Sequence, residues 1–320
     1  MKVVCFGGGN AMPRVVLEEL KKYPVEITSV TSMVDSGGST GQLRKELNVL
    51  PPGDIRRHLL ALSEAPEWKK ELWNFRFGNE EFEGGHKGYN FANIFIGSLE
   101  YILKDYEKVL DIAHEFLEIK NHKALPATLD KVHLCAELEN GEKIVGEDEI
   151  DVPKKHNPKL KIKEVYLKPE AKAYPKVLEK IKEADQLIFG PGDFYSSVIP
   201  CFLPKGMKEA IQKTKAKKVF ICPLMTKLGE TQNFSVMNYT KEIEKYIGCE
   251  LDFVLFNNFI PEKERVEKYK SEEPQLIKIV DFSELPNTKK FVGKNLLVKE
   301  GPILHNPKKV IEEILKLCRQ

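Results

Sequence analysis

The sequence predicts an α/β, Rossmann-like fold: a doubly wound, mostly parallel sheet with a small antiparallel β insertion. Three observations carry that prediction. Short apolar runs end in glycine loops that open helices, at Lys2 to Phe6 before Gly7-Gly8-Gly9 and at Gln186 to Phe189 before Gly190-Pro191-Gly192. Strand and helix patterns alternate along most of the chain, the rhythm of βα units. A central stretch breaks that rhythm with period-two alternation around Asn140-Gly141.

The elements follow in order. Lys2 to Phe6 reads as a buried parallel strand, and Pro13 suits the first turn of the next helix, with Val15, Val16, Leu17 and Leu20 as its apolar face. Val25 to Val34 is the second strand. Two short helices are expected at 54–63 and 66–75, then a longer one from Tyr89 to Leu103 and another through Val109, Ile112, Ala113 and Phe116. Val132, Leu134, Ala136 and Leu138 alternate with polar neighbours, so 124–168 reads as an antiparallel hairpin insert within a single domain spanning 1–320. The βα rhythm resumes with a helix at 174–183, strands at Gln186 to Phe189, Val219 to Cys222 and Phe253 to Phe256, and a last helix from Pro307.

Composition narrows the function. A hydrophobic fraction of 42% and a charged fraction of 31% describe a folded globule. The net charge is +2, with Lys and Glu interspersed, which gives no electrostatic case for nucleic acid as a partner. No apolar run approaches the roughly 18–20 residues of a membrane span. The six cysteines are scattered without a Cys-x-x-Cys pair, as expected of buried thiols in a reducing compartment, so the reading is cytoplasmic and without structural zinc.

Ligands of open α/β sheets bind outside the carboxyl ends of the strands. There the sequence places Gly7-Gly8-Gly9-Asn10, Asp35-Ser36-Gly37-Gly38-Ser39-Thr40-Gly41, Gly190-Pro191-Gly192-Asp193-Phe194-Tyr195-Ser196-Ser197, and Met225-Thr226 leading to Gly229-Glu230-Thr231. Glycine lets backbone N–H groups approach an anion, helix N-termini add partial positive charge, and hydroxyls add donors. Tight turns would account for any one such loop; four together point to a phosphate-bearing nucleotide. Gly7 and Gly9 fit the first two glycines of a dinucleotide fingerprint, but Met12 takes the third place. Asp35 could then hold a ribose or be a solvated turn carboxylate, and no proton donor for an NAD-dependent reaction can be named.

Asp54 can cap the helix that follows Pro51-Pro52-Gly53, and Arg56 or Arg57 could reach a phosphate or form surface ion pairs. Asn90 and Asn93, one turn apart and near His86 and Tyr89, fit either a ligand contact or a buried polar network. Mg²⁺ would bind only through phosphates and a carboxylate or two, with Asp35 as the candidate metal ligand.

Together, Val34 to Leu47, Leu50 to Arg56, Gly190 to Ser197 and Leu224-Met225-Thr226 with Gly229-Glu230-Thr231 closely resemble the YvcK branch of the CofD/YvcK family, in order along the whole chain. The resemblance implies a Rossmann-like fold. It also implies one of two activities. CofD is the Mg²⁺-dependent 2-phospho-L-lactate transferase of deazaflavin coenzyme synthesis. YvcK-type gluconeogenesis factors bind UDP-sugars such as UDP-N-acetylglucosamine and influence carbon use and cell shape. The second is the primary expectation, with protein partners in cell-wall regulation and homo-oligomerisation left open. Under the transferase alternative Asp35 would be catalytic. Tyr269 matches a family tyrosine linked to nucleotide-sugar binding. The sequence departs from the family pattern at Asn10-Ala11, at Ser36 in place of a second Asp, at Tyr89 in place of a His, and at Leu304 in place of an Arg.

Overall fold

The computed structural model describes residues 1–78 and 88–318; His86 lies outside the described residues. The first half of the chain runs β1 (Lys2–Phe6), a π-helical turn Pro13–Leu17 into α1 (Glu18–Leu20), β2 (Glu26–Thr31), α2 (Gly38–Leu47), α3 (Pro52–Leu62) and α4 (Glu67–Asn74). It continues with α5 (Phe91–Leu103), α6 (Tyr106–Phe116), β3 (Lys123–Pro126), β4 (His133–Leu138), β5 (Lys143–Val145), α7 (Glu147–Asp151) and β6 (Ile162–Lys168). Then come α8 (Pro175–Glu183), β7 (Gln186–Phe189), α9 (Met207–Lys213), β8 (Lys217–Ile221), β9 (Met225–Lys227) and α10 (Val236–Ile247). The chain closes with β10 (Phe253–Asn257), α11 (Lys263–Glu272), β11 (Leu276–Ile279), β12 (Phe291–Lys294) and α12 (Pro307–Leu317).

Seven strands form one parallel sheet in the order β12-β10-β8-β7-β1-β2-β3. Its centre is buried on both faces, and the strands there are nearly continuous apolar runs: all of β7 and β10 is buried, as is β1 after Lys2. Chain order runs outward from β1 to β3, then returns to β7 and runs outward the other way. That reversal puts the topological switch point between β1 and β7, where Val4 pairs with Leu187 and Phe6 with Phe189. Right-handed crossovers then send the helices to opposite faces. Accordingly α1, α3, α5, α6 and α12 belong to one packed group, while α8, α9 and α10 form the other. Below the switch point Phe6, Phe189 and Phe202 meet with ring centroids 5.3–5.5 Å apart, clamping the ends of β1 and β7.

The antiparallel insert is a three-stranded sheet, β5-β4-β6, with Asn140-Gly141 between β4 and β5. It begins later than the expected residue 124. Residues 123–126 pair in parallel with β2, Val30 opposite Leu125, and form the edge of the main sheet. Lys123 and three apolar residues make a run too short to carry a period by which to assign it to one sheet or the other. A small antiparallel pair, β9 with β11, stands apart from both. Cys5, Cys135, Cys201 and Cys222 are buried free thiols.

Candidate functional site

The loops after β1 and β7 touch at the switch point. A Cβ on Gly8 would lie 2.6 Å from the Ser197 hydroxyl, so only glycine lets the backbones come so close. His58 on α3 anchors the first loop from behind: its Nε2 donates to the Gly8 carbonyl at 3.1 Å, and its Nδ1 accepts from the Ser29 hydroxyl at 2.5 Å. Met12, in the place of a third glycine, is fully buried and packs over Gly7.

Two compartments open on either side of this junction, and both are lined by Asn10, Asp193 and Ser197. The first, of about 410 Å³, is apolar, walled by Gly8, Gly192, Leu224, Met225, Tyr269 and Ile303 among others. Tyr269 sits on α11, a helix that buries none of its residues. Arg265 of the same helix fixes it in place. Its guanidinium donates to the carbonyls of Val298 (3.0 Å), Gly301 (2.7 Å) and Pro302 (2.9 Å). The segment it holds supplies Val298, Ile303, Leu304 and His305 to the same compartment. Burial pushes the His305 imidazole down to about 4, so it is neutral there.

The second compartment, of about 390 Å³, is polar. Gly9, Gly37, Gly38, Ser39 and Thr40 line it, with the carboxylates of Asp35, Asp54, Glu147, Asp148 and Asp151 and the cations of Arg56, Arg57, Arg76 and Lys154. Asp35 accepts from the Gly37 N–H at 3.0 Å, and a Cβ on Gly53 would lie 2.1 Å from its other oxygen, so α3 starts flush against this carboxylate. Burial, opposed by the Gly37 and Thr40 hydrogen bonds, raises the Asp35 pKa. Burial and then the charge of Asp35 raise Asp54 to about 7. The same causes, burial first, raise Glu147 to about 9. Burial, then the neighbouring Arg57 and Arg76, lower Arg56 to about 10. Arg44 ties the Asp35 loop to the insert, donating to the carbonyls of Asp35 (2.9 Å) and Val132 (2.6 Å).

A buried ammonium joins the two walls. Lys227 lies 3.0 Å from Asp193 and 3.2 Å from Glu230, and pairs with Asp151. Glu230, fully buried, also accepts from the N–H groups of Tyr195 (2.7 Å) and Ser196 (3.2 Å) and from the Ser196 hydroxyl (3.0 Å). Asp151, Asp193 and Glu230 are the one group of three potential metal ligands with atoms within 4.8 Å among the described residues, and the Lys227 ammonium already pairs with all three.

The structure sorts the residues singled out in sequence. Gly8, Asn10, Gly192 and Tyr269 line the apolar compartment; Gly9, Asn10, Asp35, Gly37, Gly38, Ser39, Thr40, Asp54, Arg56 and Asn93 line the polar one. Gly7, Ser36, Asn90, Gly190, Ser196 and Thr226 line neither. Asn90 caps α5 and donates to the carbonyls of Asn74 and Phe75, the buried-network role. Ser36 bonds Asp148 at 2.7 Å, and Thr226 is enclosed in the β9–β11 pair. Asp54 does not cap α3. With Pro52 at the first helical position, Asp54 falls inside the first turn and accepts instead from the Gly9 N–H. Asp193, Ser197 and Lys227 were in or beside the glycine motifs yet not singled out. Neither were Arg76 and the 147–154 segment, whose sequence carries no motif.

Comparisons with known proteins agree with this architecture. The family described as 2-phospho-L-lactate transferase CofD matches residues 3–296. A Thermotoga maritima protein provisionally named a gluconeogenesis factor is 41% identical over 289 residues, 90% of this chain and 88% of its own. The gluconeogenesis factor of Listeria innocua is 33% identical over 99% of this chain and 95% of its own. A crystal structure of a UPF0052-family protein from Bacillus halodurans superposes with a TM-score of 0.88 at 32% identity, covering 98% of both chains.

Proposed function

Because this chain belongs to the CofD family, among relatives named gluconeogenesis factors, we propose that it is a nucleotide-sugar-binding regulatory protein of that type. Its ligand is a UDP-N-acetylglucosamine-like molecule, and its role is in carbon metabolism and cell shape through protein partners in cell-wall regulation. One observation carries the reading. An apolar compartment and a polar one share Asn10, Asp193 and Ser197, so a single elongated ligand can run through both. The nucleoside lies against Tyr269 and Leu224. The diphosphate meets the backbone N–H groups of the loops after β1 and β7, where glycine admits close approach. The sugar points toward Ser39 and Asn93. Titration with a set of UDP-sugars tests this. At about 100 times the dissociation constant the protein gains about 2.7 kcal/mol, read as a rise in Tm. No rise with any uridine nucleotide would refute the reading.

A second reading, a CofD-like transferase of a phospho-lactyl-type group to a deazaflavin acceptor, is favoured by the half-buried Asp35 facing the polar compartment with Asp54 beside it. This pair fits the one or two carboxylates that Mg²⁺ uses alongside substrate phosphates, with Asp35 the first ligand; when bound, Mg²⁺ would neutralise diphosphate charge. Asp35→Asn would then abolish turnover, and unchanged turnover would remove Asp35 from any catalytic role.

A further inference from the structure

Arg56, Arg57 and Arg76 come from α3 and from the segment after α4, and all three line the polar compartment. None of them forms an ion pair among the described residues. Two are held by other bonds: Arg57 donates to the Asn10 side chain at 2.5 Å and Arg76 to the Gly88 carbonyl at 2.6 Å. Arg56 is different. It is only 6% exposed, its Nε is shut off from solvent, and its Nε has no protein partner among the described residues. The backbone around it is fixed, because the Trp73 indole donates to the Arg56 carbonyl at 2.9 Å.

Asn93, which lines the same compartment and is 2% exposed, donates to the Ser39 hydroxyl at 3.0 Å, while its own Oδ1 has no protein partner among the described residues. A buried guanidinium is ordinarily matched by a carboxylate or by carbonyls, since unmet donors lose their hydration without compensation. Here two further guanidiniums stand close by, and the nearby carboxylates of Asp35 and Asp54 make no hydrogen bond or ion pair with Arg56 among the described residues. An exposed arginine would need no such explanation.

We infer that the arginine wall of the polar compartment is a second anion subsite, separate from the diphosphate cradle, built for a phosphoryl or carboxylate group. Forked N–H donors of Arg56 and Arg76 match either group bidentately, and Ser39 completes the donor set. The group arrives in one of two ways: on the distal end of the nucleotide ligand, or on a separate small molecule bound beside it. The subsite stands whether or not the nucleotide reading does.

Calorimetric titration distinguishes these cases. The probes are inorganic phosphate, UDP, UDP-glucose and UDP-glucuronate, against the wild type, Arg76→Gln and Arg56→Gln. A separate anion predicts that phosphate binds with UDP-glucose already saturating, and that Arg76→Gln weakens it by about tenfold or more while UDP binding stays within about threefold. A distal anion predicts that UDP-glucuronate outcompetes UDP-glucose by about tenfold in the wild type and loses that margin in Arg76→Gln. Arg76 is exposed, so its variant tests the subsite even if Arg56→Gln fails to fold. Phosphate bound and Arg76-dependent with no UDP binding would uphold the subsite while refuting the nucleotide reading. Phosphate displaced one-for-one by UDP would overturn the inference. So would phosphate binding indifferent to the arginine substitutions, or neither phosphate binding nor any preference for the glucuronate.

Discussion

Gly8 and Ser197 meet where the two halves of the sheet diverge, with no room for a β-carbon between them: one placed on Gly8 would sit 2.6 Å from both the Ser197 Cβ and Oγ. Residues 189 positions apart in sequence thus fix how closely the loops after β1 and β7 approach each other. The contact is possible because Phe6, Phe189 and Phe202 bind the strand ends beneath it.

Gly8→Ala therefore forces the two loops apart. Overpacking of this kind costs about 1–3 kcal/mol, and uridine-nucleotide affinity falls by at least about tenfold as the backbone donors separate. Combining it with Ser197→Gly removes the obstructing atoms and restores much of both losses. Thermal melts and calorimetric titration of the three variants check this; a double variant no better than Gly8→Ala would contradict it.

Tyr269 is the aromatic wall of the apolar compartment. Base–aromatic stacking contributes about 1–3 kcal/mol by alanine substitution, so Tyr269→Ala weakens UDP by about tenfold or more and Tyr269→Phe by far less. The helix carrying Tyr269 is tied down by Arg265, and Arg265→Ala lowers the on-rate and affinity together while changing global unfolding little, since α11 has no fully buried residue and packs only Val266 and Tyr269 on a small cluster apart from the main core. Stopped-flow binding and a denaturant melt separate the two effects.

Lys227 pairs with three carboxylates at once. Burial alone would lower its pKa, but Glu230, Asp193 and Asp151 together raise it, so it is charged. Lys227→Met leaves the fully buried Glu230 unmatched and costs about 3–5 kcal/mol, measurable by urea unfolding. Adding Glu230→Gln to that variant recovers part of the loss.

His58 gives a pH signature. A carbonyl can only accept, so Nε2 carries the proton toward Gly8 and Nδ1 is left to accept from Ser29; both bonds need the neutral ring. Burial pushes its pKa from 6.5 down to about 4. Above pH 6.5 both folded and unfolded rings are neutral and the full stability is present. As pH falls from 6.5 towards 4 the unfolded chain takes up the proton first, and stability drops by up to about 1.4 kcal/mol per pH unit. A His58→Asn variant has a flatter Tm profile across that window than the wild type. An identical slope would contradict this assignment.

The scaffold was legible wherever burial writes itself into the residues. Gln186 to Phe189 was read at its observed bounds because a strand buried on both faces is one apolar run between polar ends. β9, β11 and β12 were not seen. They are three or four residues long, and β11 and β12 are only half-buried, so neither length nor period marks them. In the site, glycine loops marked the junction of the loops after β1 and β7 but not which hydroxyl faces the compartments there. Ser196 turns inward to Glu230 while its neighbour Ser197 lines both compartments, a choice made by a π-helical turn that local sequence does not encode. Asn90 and Asn93 likewise differ only in place: one caps a helix, the other reaches the cavity. The acidic stretch Glu147 to Asp151 reads as a solvated surface until the insert folds it over the Asp35 loop, where Ser36 bonds Asp148 and Glu147.

The central claim is that backbone amides from the loops after β1 and β7 hold one diphosphate. A crystal soaked with UDP-N-acetylglucosamine tests it directly. The account predicts diphosphate oxygens within hydrogen-bonding reach of N–H groups in both loops, with the uracil on Tyr269. A nucleotide bound elsewhere, or touching only one of the two loops, would contradict it.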